Sequence, residues 1–227
     1  MRKLFILTLL FPLSLSADLG GDPKAIQMAR QIIETIGGHD VWRNARSMYV
    51  VEKSRSLKGD GIIGEFQRDL TVPRERYSLN SRNGTRIEFW WDERGVSQLI
   101  GGTFDKSNLP EDIHARVMDY WRGEIYVMLH RFASEDPTLN LKANQDHSFT
   151  AFEGERRLGT FWVNAHGELY RWRHDDGTEY IYGPLKKFGN IYFPDWGTQV
   201  DGSWSFYYVD VRLSESPPDA DFTPHRQ

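Results

Sequence analysis

The chain has 227 residues, 39% of them hydrophobic and 14% aromatic, enough apolar material for one sizeable core and a single domain. Its formal charge is −4, becoming −6 once Arg2 and Lys3 of the N-terminus are set aside, so nucleic acid is not an expected partner. The absence of cysteine excludes disulfides, thiol catalysis and a cysteine-borne lipid anchor.

The first residues, MRKLFILTLLFPLSLSA, place two basic residues before an apolar run from Leu4 to Leu15 that ends in small residues at Ala17. This is the layout of a secretory signal peptide, and the run is well short of the roughly 20 residues that cross a bilayer. Residues 1–17 are therefore read as a signal peptide and 18–227 as one mature domain; a short uncleaved anchor is the alternative. The protein is expected in the periplasm or extracellular space, not lipidated.

Asp22-Pro23 then opens an amphipathic stretch with Ala25, Ile26, Ala29, Ile33 and Ile36 at helical spacing, and Gly37-Gly38 closes it. An Asp N-cap, a proline in the first turn and glycine past the end predict a helix over 23–36. HDVWRNARSM adds one or two helical turns, with Val41, Trp42 and Ala45 facing inward.

From Met48 the apolar period becomes two. Five strands joined by the turns KGDG, RNG and ERG form an antiparallel meander, with Asn83-Gly84 the strongest turn signal. A second helix is predicted from Pro110 to about Phe132, roughly 35 Å long, with Ile113, Val117, Tyr120, Trp121, Ile125, Met128 and Phe132 on one side. Strands near 139–143, 147–153, 158–164, 168–174, 178–183, 191–200 and 204–213 follow, turned by NAHG, DDG and VDG. The fold class is α+β: a long antiparallel sheet of about 11 strands, curled into an open half-barrel, with two helices over its concave face.

In the last strand Tyr207, Val209, Val211 and Leu213 alternate with Tyr208, Asp210 and Arg212, which predicts that the first set faces inward. PPDAD then stops the strand, since proline cannot donate to the ladder and acids discourage edge pairing. Phe222 is expected to fold back onto the sheet as a buried plug, with Asp219 and Asp221 exposed.

The sequence offers little for catalysis. His166 and His174 bracket one predicted strand and lie about 27 Å apart, too far to share a metal ion. No serine sits in a G-x-S-x-G elbow. Glu168 and Glu179 can face each other across a hairpin as glycoside hydrolysis requires, but carboxylates on the outer face of a sheet need no such role. RWRH at 171–174 reads either as a stacking platform or as Arg171 and Arg173 on one face with Tyr170 and Trp172 on the other. The expectation is a non-enzyme without metal or cofactor.

The large apolar residues are the remaining signal. Phe66 and Leu70, then Ile87, Phe89 and Trp91, then Tyr170 and Trp172, then Tyr180 and Tyr182 fall on shared faces of successive strands. They either form core beneath the helices or line a ligand cavity, with Val117, Trp121 and Ile125 on the covering helix.

The order of elements, IGGHDVW after the first helix, Val200-Asp201-Gly202 before the last strand, and Pro217-Pro218-Asp219-Ala220-Asp221-Phe222-Thr223-Pro224 after it resemble the LolA/LolB-like family of periplasmic lipoprotein carriers and receptors. The resemblance implies an unclosed barrel whose apolar concave face, lidded by helices, takes up acyl chains without catalysis. It implies a lipid or lipoprotein ligand, a membrane-associated partner protein, a monomer and a role in outer-membrane biogenesis. It also implies an arginine that latches the lid, for which Arg55 and Arg68 on early strands are the candidates. The family includes envelope sensors as well, so a protein-interaction domain stays open beside the carrier, as does carbohydrate binding by exposed Trp and Tyr. Burial of about 0.8 kcal/mol per CH₂ lets such a cavity hold an acyl chain without any polar motif.

Overall fold

The computed structural model describes residues 18–56, 61–80, 84–105 and 109–218. The expected signal peptide and the expected Phe222 plug with its flanking acids lie outside these residues.

The chain begins with β1 (Gly20–Gly21), α1 (Pro23–Thr35) and α2 (His39–Asn44). The first meander is β2 (Ser47–Ser56), β3 (Gly61–Asp69), β4 (Glu75–Asn80), β5 (Arg86–Asp92), β6 (Gly95–Ile100) and β7 (Thr103–Phe104). Two helices follow, α3 (Ile113–Gly123) and α4 (Ile125–Ala133). The second run is β8 (Leu139–Ala143), β9 (Ser148–Glu153), β10 (Arg156–Val163), β11 (Leu169–His174), β12 (Glu179–Tyr182), β13 (Leu185–Phe188), β14 (Ile191–Pro194), β15 (Trp196–Gln199) and β16 (Trp204–Ser214).

Asp22 stands at the N-cap of α1, but its side chain makes no bond to that helix: the carboxylate accepts from Ala143 N–H at 2.9 Å and pins the N-terminus to β8. Gly37 and Gly38, both at positive φ, let the chain turn sharply into α2, a backbone state that glycine adopts freely. Trp42 and Ala45 are buried as expected, while Val41 is half-buried.

Fourteen strands form one sheet in the order β1-β8-β9-β10-β11-β12-β15-β16-β2-β3-β4-β5-β6-β7, all antiparallel except the short β1–β8 pair. Two meanders are thus joined through β16 and β2, and among the described pairings the end strands β1 and β7 do not meet. The expected strand over 191–200 is divided instead: β14 pairs with β13 in a separate hairpin, and only β15 enters the main sheet. That hairpin carries Phe193 into the core against Trp42, Tyr126 and Tyr208.

The curl follows from one helix. α3 packs against β6 and β10, which stand nine places apart in the sheet. Nine inter-strand spacings are about 43 Å in a flat sheet. An 11-residue helix is only about 17 Å long. The sheet must therefore bend round beneath α3 into an open barrel, as the strand number and twist anticipate.

Two bulges rearrange the faces. In β11 the pairing with β10 skips Tyr170, so Leu169 and Trp172 share the inner face and Tyr170 is turned out, 37% exposed. In β16 the pairing with β2 skips Val209, so Phe206, Tyr208 and Val211 point inward. Tyr207 and Val209, expected inside, are 58% and 49% exposed.

The single helix expected over 110–132 is broken at Glu124. Glu124 adopts an extended backbone and its carboxylate accepts from the Tyr126 and Val127 N–H groups, making it the N-cap of α4. Gly123 just before it packs so closely that a Cβ would lie 2.6 Å from the Leu158 carbonyl oxygen and 2.8 Å from His174 Nε2.

Candidate functional site

The inner face follows from the register. Glu52 lies between Gly64 and Tyr208, Phe66 between Val50 and Tyr77, Arg68 between Met48 and Glu75. Beyond them, Tyr77 pairs with Phe89, Leu79 with Ile87 and Glu75 with Trp91. On the other side, Tyr180 and Tyr182 face inward beside Trp172.

Of the expected cavity residues, Phe66, Leu70, Trp91, Trp172 and Tyr182 are buried, and Ile87, Phe89 and Tyr180 are half-buried on the concave face. Tyr170 is the exception, since the β11 bulge puts it on the outside. Aromatic rings run continuously across this face, from Trp172 to Tyr180, Phe206, Tyr208, Phe193, Tyr126, Phe66 and Tyr77, with neighbouring centroids 5.0–6.4 Å apart.

The three expected lid residues separate. Val117 lies half-buried on α3. Trp121 sits at the rim, its Nε1 donating to the Asp69 carbonyl at 3.2 Å, beside a surface groove shared with Leu70, Met118 and Arg131. Ile125 belongs to α4 and is buried against Ile32, Leu129 and Phe193 around a void of about 10 Å³. That void holds one water at most, so the part of the interior under α1 and α4 is packed core.

The part under α3 is looser. α3 buries no side chain fully; Ile113, Val117 and Tyr120 are half-buried, as are Ile62, Tyr77, Leu79, Ile87, Phe89 and Ile100 of the sheet beneath. The helix is held at its edges. His114 Nε2 lies 2.9 Å from the Asp92 carbonyl, Arg156 reaches the Asp119 carboxylate at 3.0 Å, and the Tyr120 ring packs at a tilt against His174 with centroids 4.7 Å apart.

At the junction of α3 and α4 lies a buried charge network. Arg68 donates to Glu75, pairs with Glu124 at the α3–α4 junction at 2.5 Å, and stands 5.2 Å from the centroids of Phe66 and Tyr126. The two carboxylates hold the guanidinium protonated, while burial pushes both Glu75 and Glu124 above the usual carboxylate range. Of the two candidate latching arginines, Arg68 therefore meets the helices, whereas Arg55 is exposed on β2. The aromatic neighbourhood of Arg68 could be anticipated from Phe66; its partner Glu124 could not, because 56 positions separate them.

Glu52 is different. Its residue is 8% exposed, and burial pushes its carboxyl up to about 7 against the opposing charge of Arg68. The Tyr126 and Tyr208 hydroxyls, which bond to each other, are close by on α4 and β16.

The other chemical candidates disperse. Glu179 pairs with Arg171 and stands opposite Arg173, while Glu168 accepts from Asn164 Nδ2, so the two carboxylates do not meet. Arg171 and Arg173 flank the Trp162 ring at 4.6 and 5.5 Å. Among the described residues no three His, Asp or Glu side chains converge as a metal site, and no helix is long and apolar enough to cross a membrane.

No family model matches the chain, and no curated protein does. Among solved structures it is similar to the LolA superfamily protein NE2245 from Nitrosomonas europaea, at 10% identity and a TM-score of 0.48, over 88% of this chain and 97% of that one. It is also similar to MucB, solved in complex with MucA, at 11% identity and a TM-score of 0.31, over 88% of this chain and 59% of that one. The sheet of this chain is itself large, unclosed among the described pairings and mostly antiparallel, with few helices.

Proposed function

We infer that this protein binds a hydrophobic ligand, a lipid or the acyl chain of a lipoprotein, in the cleft between α3 and the concave face of β3–β6, and carries it through the periplasm without chemical change. The observation that supports this is the contrast in packing within one interior. Under α1 and α4 the core is closed to about one water, while six large apolar side chains of β3–β6 and three of α3 stay half-buried and α3 is tied along its edges. A folded domain leaves such apolar surface half-covered at a cost of about 25 cal/mol per Å², which a ligand's own apolar surface offsets. Arg68 and Glu124 form the link by which the α3–α4 junction is kept on the sheet.

The test is uptake of the neutral fluorescent probe N-phenyl-1-naphthylamine, with organic extraction of protein purified from its own periplasm. Binding near one equivalent, lost in Phe89→Asp without loss of cooperative unfolding, is expected. A protein that takes up no probe and yields no lipid overturns the reading.

A second reading rests on a separate observation. Ile63 of β3 and Tyr207 and Val209 of β16, on the convex face to either side of Lys53 of β2, are 49%, 58% and 49% exposed, an apolar surface suited to a protein partner. Co-purification of one stoichiometric partner that is lost in Tyr207→Glu supports it.

A further inference from the structure

The convex face of β2 carries two cations side by side. Lys53 and Arg55 point outward and are exposed, and neither has a hydrogen bond or ion pair among the described residues. Elsewhere on the convex face arginines are matched: Arg76 and Arg86 with Glu88, Arg171 with Glu179, and Arg212 with Asp210. Residues 18–227 carry a formal charge of −6, so carboxylates are in surplus and an unmatched pair of cations runs against the composition.

Their neighbours are apolar or small. Lys53 stands between Tyr207 of β16 and Ile63 of β3, and Trp196 of β15 continues the row beyond Tyr207, its indole lying over Gly183. Arg55 stands between Ser205 and Gly61, with open space where a side chain of Gly61 would be. The row from Trp196 to Ile63 crosses three inter-strand spacings, about 14 Å, close to the width of one α-helix.

We propose that this face docks an acidic amphipathic helix of a partner protein, with its apolar stripe on Tyr207, Val209 and Ile63 and its carboxylates against Lys53 and Arg55. This rests on the protein-partner reading above and names the chemistry of the partner. β16, β2 and β3 are each paired on both sides within the sheet, so a partner cannot join there as an added strand and meets side chains alone, as a helix does. A second copy of the chain laid face to face would bring Lys53 and Arg55 onto their own equivalents, where like charges repel. An anionic membrane is recognised by clusters of about four to eight basic residues, and the negative charge of the whole chain opposes that approach.

Anisotropy titration of the full mature chain with three fluorescent helical peptides tests this; they share a leucine stripe and carry Glu, Gln or Lys along its flanks. The Glu peptide is expected to bind about tenfold more tightly than the Gln peptide, with the Lys peptide weakest. In the double variant Lys53→Gln, Arg55→Gln the Glu peptide falls to within about twofold of the Gln peptide, whereas Tyr207→Glu weakens all three. The three replaced side chains are exposed, and an unchanged urea midpoint checks that the variants keep their fold. Equal binding of the Glu and Gln peptides, both lost in Tyr207→Glu, overturns the acidic class and leaves the protein-partner surface standing. A Glu preference that survives the double variant, or binding to phosphatidylglycerol vesicles that the Glu peptide does not displace, overturns the proposal as well. So does failure of all three peptides to bind, and co-purification then judges the surface alone.

Discussion

The two ends of this curled sheet are covered by helices in different ways. α1 and α4 lay Ile32, Ile33, Met128 and Phe132 on β8–β11, where Phe132, Phe149 and Phe161 form a triangle of rings 5.1–5.5 Å apart that is closed to solvent. α3 spans β6 to β10 with half-buried side chains and polar ties at its ends. The difference teaches that coverage by a helix is not the same as burial. A helix laid along a sheet fills the space between them, while one set as a chord across a bent sheet leaves room beneath it.

The largest effect that distinguishes the two ends is truncation of a ring. Phe132→Ala is expected to cost about 4 kcal/mol in urea unfolding, because the cavity it leaves cannot collapse, whereas Phe89→Ala is expected to cost about 1 kcal/mol. Equal losses at the two sites would erase the contrast.

Next is the link between them. Arg68→Met leaves Glu75 and Glu124 buried without a counter-charge and is expected to cost about 3–4 kcal/mol at neutral pH. Hydrogen exchange would show α3 and the first turn of α4 losing protection before α1 does. Uniform loss across all helices would show that Arg68 serves the whole fold instead of the junction.

A smaller effect comes from pH. Burial raises Glu52 from about 4.5 to about 7, so the folded state binds the proton more tightly than the unfolded chain. The stability due to that proton is complete below the unfolded value and is lost as pH rises through about 7. Between pH 4.5 and 7.5 the unaltered protein should lose on the order of 2–3 kcal/mol that Glu52→Gln keeps, and parallel stability profiles for the two would contradict this.

The smallest effect belongs to the N-terminal tie of α3. His114→Ala removes one partly buried hydrogen bond to the Asp92 carbonyl and should cost about 1 kcal/mol or less. Its sharper readout is faster uptake of the apolar probe, and an unchanged rate would place the opening of the cleft elsewhere.

The signals carried by neighbouring residues were legible before folding. Asp22, Pro23 and Gly37-Gly38 mark α1, and the period of two marks the strands of both meanders. Less of the candidate site was legible. Phe66, Ile87, Phe89 and Tyr180 reach the concave face as their alternation implies, but the same alternation misplaces Tyr170, Tyr207 and Val209. Two bulges account for this, since one unpaired residue inverts every facing on one side of it.

The sequence by itself thus determined the α+β class, the first helix and most strands, because capping, turn chemistry and side-chain alternation act between residues a few positions apart. Only the tertiary structure decided the strand order through β16 and β2 and the break at Glu124. Each depends on groups far apart in the chain: β16 meets β2 across the whole length of the domain, and Glu124 at the break pairs with Arg68 of β3.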